Sequence, residues 1–138
     1  MANSMYIPLR EIPENIQGLR TTLARALSEF GLTLSDMKFS KFPGAKEKLL
    51  DDFVLLEGGE GQQCWISFAE CSVELSGRDD YTYMANVQTR GTWDFAGAVA
   101  YGLCSMSGYV VFNDAGQLDG LEEYTPEALR NTLLGRLK

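Results

Sequence analysis

Between residues 53 and 89 the chain carries three strand-like runs joined by very short links. Phe53–Glu57 is short and apolar, and Gly58-Gly59-Glu60-Gly61 follows as a permissive hairpin loop. Residues 63–75 then alternate. Trp65, Ser67, Ala69, Cys71, Val73 and Leu75 lie on one face, with Ile66, Phe68, Glu70, Ser72 and Glu74 on the other. Apolar residues occupy both faces early and one face late. This reads as one long central strand with an exposed far end, or as a strand whose phase a bulge shifts. Ser76-Gly77-Arg78-Asp79-Asp80 is a second turn, and residues 81–89 alternate again. A parallel neighbour would need a crossover of a dozen or more residues, so these runs form an antiparallel meander.

Helical patterns surround the meander. In residues 12–31, Ile16, Leu19, Leu23, Leu27 and Phe30 recur at spacings of three and four, with Pro13 in the first turn and Gly31 placed to stop the helix. A second helix starts at Thr92 and ends at Gly108. Its stripe is Phe95, Val99, Leu103 and Met106, and its remaining positions are mostly Ala and Gly. Such small side chains let a helix lie close to a sheet or to another helix. Residues 109–113 read as a further strand closed by a turn at 113–116, with room for a short strand near Gln117-Leu118. The last helix has Thr125 as N-cap, Pro126 at its first position and Leu129, Leu133 and Leu137 facing inward. Leu32, Leu34 and Met37 belong to a short strand or to the return from the first helix.

The expected order is therefore α-β-β-β-α-β-α. This is an α+β fold, with an antiparallel sheet of about four to five strands and helices packed on one face. The 138 residues make one domain, 1–138, and 45% of them are apolar, enough for a real core. No repeat or linker interrupts the chain.

Composition narrows the chemistry. There is no histidine, which removes Ser-His-Asp and Cys-His mechanisms and His-containing zinc sites. The net charge of −7 argues against nucleic acid as the main partner, because phosphate binding needs Lys and Arg. The start has no basic region followed by an apolar stretch, and the longest apolar run, near 95–106, is too short to span a bilayer. Cys64, Cys71 and Cys104 form no CxxC pair and read as reduced thiols. The expectation is a cytoplasmic protein with no membrane contact.

Individual motifs carry little chemistry. The 58–61 glycines lack the Walker lysine and are followed by a strand. Asp51-Asp52 and Asp79-Asp80 are adjacent pairs, and neighbours in an extended chain point to opposite faces. Ser72, Ser105 and Ser107 have no visible base. Lys38, Lys41, Lys46 and Lys48 surround Phe39 and Phe42 and read as a solvated connection whose phenylalanines cap the core. No catalytic residue, metal or cofactor is expected. Trp93, Tyr81 and Tyr83 each admit two readings, as core edges or as exposed anchors at an interface.

The charge distribution is more informative. Residues 1–50 carry a net +2, residues 51–127 a net −12, and residues 128–138 a net +3. Asp51, Asp52, Glu57, Glu60, Asp79, Asp80, Asp114, Asp119, Glu122 and Glu123 all fall in expected loops or strand ends. An acidic surface of this kind suits docking of a basic protein, and the same charges also serve solubility.

The run from Gly91 through Trp93, Asp94 and the alanine-rich stretch to Leu103, leading by Gly108 into Tyr109-Val110-Val111-Phe112-Asn113-Asp114, resembles bacterial immunity proteins of polymorphic toxin systems. The likeness covers residues 91–116. It implies non-enzymatic neutralisation of a cognate toxin, often a basic nuclease, in contact-dependent inhibition or type VI secretion. The acidic residues just named, with Trp93, Tyr81 and Tyr83, would then bind the toxin, and the protein would be a monomer or homodimer. The alternatives are an acidic secretion chaperone, dimeric and bound to an effector segment, and a metal-assisted hydrolase using the aspartates.

Overall fold

The computed structural model describes residues 4–13, 15–39, 53–59, 61–89, 93–113 and 123–136. In chain order the elements are β1 (Ser4–Leu9), α1 (Ile16–Glu29), β2 (Asp36–Phe39), β3 (Phe53–Glu57), β4 (Gln63–Glu70), α2 (Val73–Ser76), β5 (Tyr83–Thr89), α3 (Trp93–Ser107), β6 (Val111–Phe112), β7 (Glu123–Tyr124) and α4 (Pro126–Arg136). The strands form one sheet in the order β2-β3-β4-β5-β1-β6-β7, with every neighbouring pair antiparallel.

The α+β class and the antiparallel meander β3-β4-β5 agree with the sequence reading. The strand count does not. Seven strands replace the expected four to five, and a strand precedes the first helix. Of the added strands, β7 pairs with β6 at the edge, and β1 is inserted between β5 and β6. Met5, Ile7 and Leu9 alternate on its buried side, opposite Val87, Ala85 and Tyr83 of β5. Pro8 is tolerated inside this strand because of where its nitrogen points. The Arg10 N–H donates to the Ser107 carbonyl at 3.0 Å, so the nitrogen of Pro8, two residues away, faces the same side. On that side β6 pairs only at Tyr6, and no ladder bond is lost.

The long strand expected over 63–75 is also corrected. β4 stops at Glu70, and Val73–Ser76 forms the single helical turn α2, closed by Gly77 in the left-handed conformation (φ 85°). The change of direction leaves Val73 and Leu75 exposed. The first helix starts at Ile16, four residues later than expected, because Asn15 caps it by accepting the Gly18 N–H at 2.9 Å. Gly31 does take the left-handed conformation after it (φ 73°). In α4, Thr125 Oγ1 accepts the Ala128 N–H at 3.1 Å, and Pro126 is the first helical residue, as expected. The short strand expected near Gln117-Leu118 lies outside the described residues.

One hydrophobic core joins the inner face of the sheet to the three long helices. Met5, Ile7, Val54, Leu56, Ile66, Phe68, Ala85 and Val87 come from the strands. Leu19, Leu23 and Leu27 of α1, Phe95, Val99 and Leu103 of α3, and Leu129 and Leu133 of α4 meet them. The central helix α3 touches β1, β4, β5 and β6 and is flanked by α1 and α4. Its small residues explain the fit. A Cβ on Gly102 would stand 2.8 Å from Cβ of Ala26 and 3.2 Å from Cδ2 of Leu23, so the glycine allows α1 its close approach. Because all three helices share this core, the other face of the sheet receives none of them.

Candidate functional site

That other face is covered by none of the described long helices. Strand alternation places Phe53 and Leu55 of β3, Trp65 and Ala69 of β4, Met84 of β5, Tyr6 of β1 and Phe112 of β6 on it. The register aligns one row across six strands: Phe53, Ser67, Asn86, Tyr6, Phe112 and Glu123. Phe53 is 41% exposed and meets Trp65 edge to face, with ring centroids 6.1 Å apart. Leu75, 66% exposed, stands at one side as the tip of α2. Between it and the row lies a groove of about 610 Å³, lined by Tyr6, Ser67, Ala69, Glu70, Cys71, Leu75, Met84, Asn86 and Phe112.

The groove combines apolar walls with a few polar groups, the usual make-up of a binding site. Within it, Asn86 Oδ1 is shielded from solvent and has no hydrogen-bond partner among the described residues. Glu70 closes β4 and is exposed, but alternation turns its side chain to the helix side together with its register partner Tyr83. Among the described residues the lining contains no lysine or arginine.

The corner carrying α2 is fixed from the opposite direction. Tyr109 donates its hydroxyl hydrogen to the Ser76 carbonyl, and its ring meets Tyr81 edge to face at 4.7 Å. The guanidinium of Arg78 lies 4.1 Å from the Tyr109 ring centroid, and that of Arg10 lies 5.4 Å from the Tyr81 centroid. Two aromatic rings and two cations therefore hold the turn that carries Leu75.

The residues named from sequence are scattered over this framework. Tyr81 is only 4% exposed, enclosed in that aromatic corner, and Tyr83 is partly buried against the core on the helix side. Glu57 and Glu123 are exposed at strand positions on the open face, and Asp79 and Asp80 are exposed in the turn after α2. Glu57 accepts from Gln63 Nε2 at 3.3 Å. Trp93 is the first residue of α3. Asp51, Asp52, Glu60, Asp114, Asp119 and Glu122 lie outside the described residues. Among the described residues no three His, Cys, Asp or Glu side chains gather where they could hold a metal ion. In the 58–61 loop, the Gly58 N–H donates to the Gln62 carbonyl and the Gly59 N–H to Gln62 Oε1, so the hairpin itself uses these donors.

Sequence reasoning missed the aromatic side of the open face: Tyr6, Phe53, Trp65 and Phe112. One signal was present. Trp65 and Ile66 put large apolar residues on both sides of β4, which a strand covered on one side alone does not require.

Burial disfavours the thiolate form of all three cysteines. Burial raises Cys104 from its ordinary value of 9.0 to about 12 and pushes Cys64 up further, and desolvation also raises Cys71 at the groove. No helix among the described residues is long and apolar enough to cross a membrane. Comparison with protein-family models, curated proteins and solved structures gave no match to this chain.

Proposed function

We propose that the protein is a non-enzymatic immunity or inhibitor protein, which neutralises a cognate bacterial toxin by binding a basic domain of it. The observation that carries this reading is the sheet face that none of the described long helices covers, with an apolar centre and exposed carboxylates at Glu57 and Glu123. Contiguous apolar surface rimmed by polar groups marks sites of protein contact. Large aromatic side chains near the centre of such a surface supply most of the binding energy, and rim charges of one sign speed encounter with a partner of the other. The net −12 of residues 51–127, which supply β3 to β7, gives the surface its sign. Nucleic acid does not fit that sign.

The test is co-expression with the toxin domain encoded beside this chain. Growth should be restored, and the two proteins should co-purify in a complex whose association slows as salt rises. Unrelieved toxicity with no complex overturns the reading. A secretion chaperone using the same apolar face would be a stable dimer holding an unfolded effector segment, and light scattering separates the two.

A further inference from the structure

We infer that α2 anchors the contact with the toxin: Val73 and Leu75 enter an apolar hollow of the basic partner domain, bordered by its lysine and arginine side chains. This deepens the protein-binding reading above and rests on it. Val73 is 46% exposed and Leu75 66%, on one helical turn. They do not stand alone on the surface. Leu75 also lines the groove, where Ala69, Met84, Tyr6 and Phe112 continue the apolar surface. A contiguous patch of this kind marks protein contact, whereas single scattered apolar side chains do not.

The backbone beneath the two side chains is held in place. Four residues make too short a helix to maintain itself in water. Here the Gly77 N–H donates to the Val73 carbonyl at 2.7 Å, and the fully buried Ser76 donates its hydroxyl hydrogen to the Arg78 carbonyl at 2.9 Å. Tyr109 donates to the Ser76 carbonyl, and a Cβ on Gly77 would stand 2.7 Å from the same phenol oxygen, so the turn sits close on that ring. All of this support presents side chains that remain in water. A side chain whose backbone is already in its bound place loses less freedom when a partner arrives.

Charge selects the partner. Glu74 within the turn, and Asp79 and Asp80 after it, are exposed. The cation of the same stretch, Arg78, lies over the Tyr109 ring at 4.1 Å. Three carboxylates beside an apolar tip favour lysine and arginine around the receiving hollow. A second copy of this chain, meeting the first through the same patch, would set those carboxylates against each other.

The experiment measures binding of the full chain to the purified toxin domain encoded beside it, by surface plasmon resonance at low and high salt. Val73→Ala with Leu75→Ala should weaken the complex at least about thirtyfold, mostly as faster dissociation. Glu74→Gln, Asp79→Asn and Asp80→Asn together should slow association about tenfold at low salt and leave dissociation nearly unchanged. Both variants should keep the Tm of the unaltered chain, because the replaced side chains are exposed. An alanine variant that binds as tightly as the unaltered chain overturns the anchor and leaves the toxin reading standing. No binding by the unaltered chain refutes both. A dimer of the chain alone that the alanine variant splits makes a second copy the occupant and overturns the assignment.

Discussion

Asn113 follows β6 with its side chain fully buried, and neither its amide nitrogen nor its carbonyl oxygen has a partner among the described residues. A buried amide in that position costs about 1–3 kcal/mol relative to a satisfied one. Asn113→Leu, close in shape and free of polar atoms, should therefore raise stability by about that amount, measured as a higher Tm. Sequence alone places Asn113 in a turn, where the residue type is common, and nothing local distinguishes a turn asparagine from a buried one. The cysteines give a second outcome. Folding raises the Cys104 thiol from 9.0 to about 12 and raises Cys64 as well, so the unfolded chain ionises first. Stability is then full below pH 9.0 and falls as the pH climbs toward 12, by about 1.4 kcal/mol per unit for each thiol that stays protonated in the fold. Urea melts across that range should show a shallower alkaline decline in Cys104→Ala.

At the scale of elements, the contact between α1 and α3 sets two preferences against each other. Gly102→Ala improves helix propensity by about 1 kcal/mol. The added methyl would also lie 2.8 Å from Cβ of Ala26, an atom that cannot turn aside. Overpacking of this kind costs about 1–3 kcal/mol, so the variant should melt at a lower temperature despite its better propensity. Thr125→Ala at the start of α4 removes the cap to the Ala128 N–H and should cost about 1 kcal/mol. Helices were the most legible elements, because their periodic apolar stripes and caps are local signals. β1 was illegible for the opposite reason. It is six residues long and contains Pro8, which argues against an inner strand, and only the short reach of β6 makes that proline harmless. The turn α2 was hidden because Val73 and Leu75 continue the alternation of β4, and what ends the strand is the aromatic corner built from Tyr81 and Tyr109, distant from each other in sequence.

For the whole molecule, the proposed function gives the two faces of the sheet separate duties, one holding the core and the other binding the toxin. Replacing Phe53 and Trp65 together by glutamate should leave the circular dichroism spectrum unchanged and abolish toxin co-purification. Loss of the fold instead would show that these rings belong to the stability of the protein. The acidity of this half was readable from sequence, but the aromatic centre it surrounds was not, since Tyr6, Trp65 and Phe112 meet only through strand pairing across the chain. The position of β1 has a further consequence for how the protein comes to exist. During synthesis these residues leave the ribosome before their partners, which begin at Tyr83 in β5 and at Val111 in β6. The strand must wait, unpaired and apolar, until those partners have followed it, so the sheet closes by a slow, long-range step.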